Sequence, residues 1–203
     1  MPEQSSMHSY LSWTKERIDE MDATLASLES RTSQLTADST ARANQLIADL
    51  KKQRDDFEAY AMAQAQAGEG AWNAAKAQLD SQWHGFETQV KTYFEGAGRQ
   101  FEQQQATFRQ VAAAQAKAWQ EAAEELHAQA QQVATGARAD VEARIKQFKT
   151  DASEAEARVQ RIKQAGAESW TALSAALTET RKAFDRAHQQ AWDAITRANS
   201  SSS

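Results

Sequence analysis

The larger apolar residues between Trp72 and Trp192 recur in steps of three, four and four, an eleven-residue period. One row reads Ala75, Phe86, Ala97, Phe108, Trp119, Ala130, Val141, Ala152; its neighbour reads Leu79, Val90, Phe101, Ala112, Ala123, Ala134, Ile145; a third reads Leu126, Ala137, Phe148, Val159, Trp170. Eleven residues over three turns is about 3.67 per turn, the repeat of a straight or slightly right-handed helix, whereas a left-handed coiled coil keeps seven. Before Trp72 the seam starts in heptads, through Leu11, Ile18, Met21, Leu25, Leu28 and Leu35, and resumes after a phase shift at Ala43, Leu46, Leu50, Phe57 and Ala61. The pattern therefore predicts an all-α chain of long amphipathic helices.

Punctuation divides the pattern. Gly68-Glu69-Gly70 is the clearest break, since two glycines cost a helix interior roughly 2 kcal/mol relative to alanine. Thr135-Gly136 is a second candidate turn. Gly96-Ala97-Gly98 reads as a kink, because the seam passes it in phase, and Gly85 and Gly166 read as tolerated within helix. The expected architecture is an elongated antiparallel three-helix bundle or coiled coil forming one domain, residues 1–199, with helices near 7–67, 71–135 and 137–199 and a disordered tail at 200–203. Each helix of about 60 residues would be a rod of about 90 Å. The competing layout breaks the chain again near residues 38, 97 and 166, giving about six shorter helices; the continuous seam favours three.

Composition makes the seam thin. Leu, Ile, Val and Phe number 27 of 203 residues, while Ala alone numbers 43, so the apolar content is carried by a residue that buries little surface. Low core content with high net charge signals disorder, but the net charge is only −5 and Ala, Gln, Glu, Lys and Arg favour helix. Such a seam is expected to be completed by length, a second copy or another surface. Residues 1–70 carry 7 basic and 12 acidic side chains and residues 136–203 carry 11 and 9, which suits an acidic first helix beside a mildly basic third. There is no cysteine, hence no disulfide or thiolate site. No apolar run is long enough to span a bilayer, and the first residues lack a basic-then-apolar leader, so a cytoplasmic location is expected.

Candidate chemistry is sparse. Glu124 and His127 stand three apart, the spacing of a helical metal ligand pair, with Asp185 and His188 as a looser copy. Glu124 lies beside the seam, and further inward carboxylates cannot be assigned, so no metal, cofactor or catalytic residue is expected. No phosphate-binding glycine loop, nucleophile elbow or zinc motif is present, no small-molecule substrate is evident, and the acidic balance argues against nucleic acid. The basic residues from Arg138 to Lys163 interleave with acids, as on a solvated helix face.

The six tryptophans carry more information. Trp72, Trp83, Phe86, Val90 and Phe94 make a bulky apolar face, a candidate contact surface for lipid or a partner. Alternatively, these rings fill gaps opposite alanines inside a bundle. The eleven-residue pattern with Ala, Gln, Glu and Lys on its polar face resembles that of exchangeable apolipoproteins and of phasins, and the three-long-helix layout is similar to membrane-curving BAR domains, without their basic face. The first two resemblances imply a coat on a membrane or a lipid-like granule. The leading expectation is a non-enzymatic structural or scaffolding protein that acts through self-association or a protein partner. The peripheral lipid-surface coat is the alternative.

Overall fold

The computed structural model describes residues 2–32, 37–96, 101–133, 138–165 and 169–200. These form six α-helices: α1 Pro2–Thr32, α2 Ala37–Ala67, α3 Glu69–Gly96, α4 Phe101–Gln131, α5 Arg138–Ala165 and α6 Trp170–Ser200. The chain is thus all-α, with no strand among the described residues. Four helices have 31 residues and two have 28, each about 42–47 Å long.

Successive helices run antiparallel. Arg54 of α2 binds Asp22 of α1 at 2.8 Å, Tyr10 of α1 reaches both the Ala61 carbonyl of α2 at 2.9 Å and the Trp72 ring of α3, and Trp119 of α4 meets Phe148 of α5, which meets Phe184 of α6. The third connection, from α3 to α4, also reverses the chain, but α4 then packs along α1 rather than α3. α1 is the central helix, touching α2, α3, α4 and α6, whereas α5 packs against α4 and α6.

Three long rods are therefore replaced by six helices of half their length. The expected helices 7–67, 71–135 and 137–199 are each divided, with α1 ending at Thr32, α3 at Gly96 and α5 at Ala165. The kink expected at Gly96 is a reversal, and Gly166, expected within helix, lies outside the described residues. The composition at each break is helix-poor: a hydroxyl-rich stretch after Thr32, glycines at 96 and 98, and glycine at 166. α3 and α4 begin at residues 69 and 101, a spacing of 32, whereas α4 and α5 begin at 101 and 138, a spacing of 37, so the sequence pattern carries no mark of where one helix ends and the next begins. A row that looks continuous in sequence thus passes from one helix to the next. Its described members are buried or half-buried all the same, Phe86, Phe108, Trp119, Ala130 and Val141 deeply so. The turn expected at Thr135-Gly136 lies outside the described residues. So does the tail beyond Ser200, which itself closes α6 with its hydroxyl donating to the Thr196 carbonyl at 2.9 Å.

The core has two apolar clusters. One joins α1, α2 and α3 to Phe108, Val111 and Ala112 of α4, to Val159 of α5 and to α6 from Trp170 to Leu177, with Leu50, Phe57 and Leu79 among its members. The second joins the rest of α4 and α6 to α5, around Trp119, Leu126, Phe148, Phe184 and Trp192. Leu11 and Met62 are the exposed large apolar side chains among the described residues. No described helix is long and apolar enough to cross a membrane.

Gly68 reverses the chain between α2 and α3 in a single residue at φ +96°, a conformation that glycine adopts freely and other residues do not. A Cβ there would meet no atom, so the cost of Gly68→Ala is purely conformational. Urea unfolding should show a loss of about 1 kcal/mol for Gly68→Ala. Gly85→Ala, inside α3 with equally open space, should instead gain roughly 0.5–1 kcal/mol.

Candidate functional site

Where the two apolar clusters meet, the core turns polar. On α4 the change falls at Gln115, and on α6 at Thr180 and Arg181, between Leu177 of the first cluster and Phe184 of the second. α1 supplies Glu16, Arg17 and Glu20, all at most 4% exposed. Consecutive helical positions point in different directions, so such a cluster can be buried only on a helix surrounded by others. α1 is that helix.

Glu20 is the hub. Its Oε1 accepts from Arg181 Nε and from Gln115 Nε2, both at 3.0 Å, and its Oε2 accepts from Arg181 Nη2 at 2.6 Å. This fork-to-fork pairing is the strongest geometry available to a carboxylate and a guanidinium. Arg181 Nη1 continues to Glu87 of α3 at 3.0 Å, and its guanidinium lies over the Trp83 ring at 4.4 Å. Gln115 also donates to the Leu177 carbonyl at 3.0 Å. Four helices are thereby tied at one point. Burial alone would lower the Arg181 pKa, but Glu20 and then Glu87 hold it above the usual arginine value.

A second knot lies one turn away. Arg17 binds Asp185 of α6 with two nitrogens, at 3.1 and 2.7 Å, donates to Glu16 at 2.8 Å and covers the Trp13 ring at 4.1 Å. Burial pushes the Glu16 pKa well above the usual carboxylate range, despite Arg17 beside it. His188 is 2% exposed, stacks on Phe184 and accepts a hydrogen bond from Trp192 Nε1 at 2.8 Å. Desolvation lowers its pKa to about 4, with Asp185 opposing weakly. At neutral pH it is an uncharged acceptor in the core.

Of the five residues of the expected contact face, Trp83 lies against this network, under the Arg181 guanidinium. Trp83, Phe86, Val90 and Phe94 are buried in the first cluster at 2–4% exposure, and Trp72 is half-buried against Tyr10. In the closed bundle the face is internal, with Phe94 against Trp170 of α6 at 4.5 Å. A cavity of about 230 Å³ between α3 and α6 is lined by Trp83, Phe86, Glu87, Trp170, Glu20 and Arg181. Glu124 and His127 are exposed and bond to Gln120 and Gln131 on their own helix. Asp185 and His188 are drawn apart, to Arg17 and Trp192. Among the described residues no three His, Cys, Asp or Glu side chains gather into a metal site.

The sequence pattern does not mark the polar network, because Glu16, Arg17 and Glu20 read as the solvated side of an amphipathic helix. The charge difference between the acidic start and the basic end of the chain is its trace: Glu20 with Arg181 is a pair of that kind. The expected seam residue Leu11 is 44% exposed, while its neighbours Tyr10 and Trp13 are buried.

Replacing Arg181 with Met should cost about 3–5 kcal/mol, because Glu20 is left in the core without its counter-charge. The double variant Glu20→Leu with Arg181→Met should recover much of that loss in chemical denaturation. Additive losses in the two single variants and the double would show that the pair does not act as a unit.

The His188 shift also gives a pH dependence. Its folded pKa lies below the unfolded value of 6.5, so the unfolded chain binds the extra proton and stability falls as pH drops from about 6.5 towards 4. The full effect is on the order of 3 kcal/mol. Glu16 works the other way, its raised pKa favouring the fold less as pH rises above 4.5. The wild type minus His188→Gln difference isolates the histidine, and that difference should shrink with falling pH over this window. Parallel pH profiles would refute the assignment.

Comparison with known protein families, curated proteins and solved structures finds no match for this chain.

Proposed function

We propose that this chain is a non-enzymatic structural protein, a short helical scaffold acting through its outer helix faces on further copies or on a protein partner. The observation that carries the reading is the four-helix tie at Glu20 and Arg181, which fixes the register of the central helix. A bundle pinned in this way presents its outer faces in one arrangement. Those faces are Ala, Gln, Lys, Arg, Glu and Asp, since nearly all bulky apolar side chains are committed to the interior. Association through such faces is electrostatic and screened by salt. Sedimentation velocity over a concentration series should therefore give dimers or larger species that dissociate between about 0.05 and 1 M salt. A monomer at every concentration and salt would remove the self-association arm.

The second reading is a lipid-surface coat, for which the bundle must open. It is favoured by the storage of Trp83, Phe86, Val90 and Phe94 on one helix face against a core rich in alanine. Vesicle binding would then come with a loss of the antiparallel contacts. A disulfide joining α3 to α6 would block binding under this reading and leave it unchanged if the outer faces are used.

A further inference from the structure

α3 and α6 both pack on α1 but touch each other sparingly. Beside α1 they leave a cavity of about 400 Å³. Five rings form much of its wall: Tyr10 and Trp13 from α1, Trp72 from α3, and Phe184 and His188 from α6. His188 counts among them as an uncharged ring, since burial lowers its pKa to about 4. The volume falls within the roughly 300–1,000 Å³ of small-molecule sites, which are typically aromatic-lined with a few placed polar groups.

The polar part of the lining is unbalanced in charge. Lys76 of α3 and Arg186 of α6 are exposed at the mouth, and among the described residues neither forms an ion pair. Lys76 Nζ stands 5.9 Å from the Trp13 ring, which already carries the Arg17 guanidinium at 4.1 Å. Asp185 is the one carboxylate of the lining, and both its oxygens are taken by Arg17. Ser9 donates to Gln189 at 3.2 Å, so these two satisfy each other. Arg144 and Lys146 of α5 are unpaired as well, but they stand on an exposed helix face. At the cavity, two unpaired cations from different helices converge on aromatic walls, in a chain whose net charge is −5. Like charges repel, and an anion seated between them relieves that repulsion.

We propose that this cavity binds a planar aromatic carboxylate. Its ring system lies against Trp13, Trp72 and Phe184, where stacked and edge-on contacts between rings are favourable. Its carboxylate meets Lys76 and Arg186 at the mouth, where the planar guanidinium offers a two-pronged contact and the ammonium a point charge. Gln190, one turn beyond Arg186 and also in the lining, has an amide N–H to donate to the same group. An uncharged aromatic molecule gains the ring contacts and forgoes the two cations. Lys76, Arg186 and Gln190 are all exposed in the closed bundle, so no helix has to move for the ligand to reach them. The inference goes beyond the scaffold reading and does not depend on it.

The test is calorimetric titration of the full chain at pH 7 and low salt with 2-naphthoate, and with 2-naphthamide as the uncharged probe of the same shape. Wild type should bind 2-naphthoate at one site, about tenfold more tightly than the amide, the worth of a hydrogen bond to a charged group. The double variant Lys76→Gln with Arg186→Gln should bring 2-naphthoate down to the affinity of the amide and leave the amide unchanged. Arg144→Gln with Lys146→Gln makes the same change in net charge on α5 and should alter neither; melting curves verify that both variants are folded. An absence of saturable 2-naphthoate binding overturns the proposal, as does equal affinity for the two probes. So does an equal loss in the α5 variant, which would reduce the effect to the overall charge of the chain.

Discussion

The carboxylate of Glu20 inside the bundle is the constraint on which the arrangement depends. A carboxylate withdrawn from water is tolerated only if its oxygens are supplied with donors, and here the donors come from α4 and α6. Arg181 in turn requires Glu87 on α3 for its remaining edge. Sliding α1 against α6 by one turn would leave Glu20 and Arg181 buried without each other. Apolar contacts among alanines cannot enforce register in this way, because one methyl group against another is much like the next. In a bundle with so many alanines and so few Leu, Ile, Val and Phe residues, the polar tie supplies positional specificity that the core lacks. A well-packed apolar substitute could equal it in stability, so its value lies in selecting one packing.

The same constraint explains the asymmetry of the bundle. α1 is surrounded by four helices, and its polar side is as buried as its apolar side, with Thr14, Glu16, Arg17, Glu20, Thr24 and Ser27 all inside. Each is matched locally: Thr14 and Thr24 bond to carbonyls of their own helix, and Ser27 shares a hydrogen bond with Thr107 of α4 at 2.8 Å. α5, at the opposite extreme, keeps most of its charges in solvent and is held chiefly by Val141, Ile145, Phe148, Ala155 and Val159, with Ala152 and Ile162 packed beside them.

Helix type and the identity of the core were legible in the chain. Phe86, Val90, Phe94, Phe108, Trp119, Leu126 and Phe148 were on the seam, and all are buried. Chain reversals were less legible, because the apolar rows run on in sequence from one helix to the next, from Phe86 on α3 to Phe108 on α4 and from Ala130 on α4 to Val141 on α5. Periodicity reports which face is apolar and says nothing about whether the axis continues. The polar network was invisible for a related reason. Whether Glu16, Arg17 and Glu20 face water depends on how many neighbours α1 has, a tertiary fact that amphipathic patterning along one helix does not contain. Similarly, Asp185 and His188 have a ligand-like spacing, but packing sends one to Arg17 and the other to Trp192.

What the aromatic residues do in the fold bears on both functional readings. Trp13 and Trp83 are each covered by a guanidinium, and Trp119, Phe148, Phe184, His188 and Trp192 form a continuous stack of ring contacts through the second cluster. Large rings among alanines pack by filling the space that small residues leave, which suits a bundle whose helices approach closely. Opening the bundle for a lipid surface would have to undo these ring contacts and also expose Glu20 and Arg181. Re-solvating those charges is favourable in itself, so the polar tie is both what selects the closed form and the part of the core least opposed to leaving it. The choice between scaffold and coat thus turns on the aromatic contacts, because the buried charges favour order in the closed bundle without strongly resisting water.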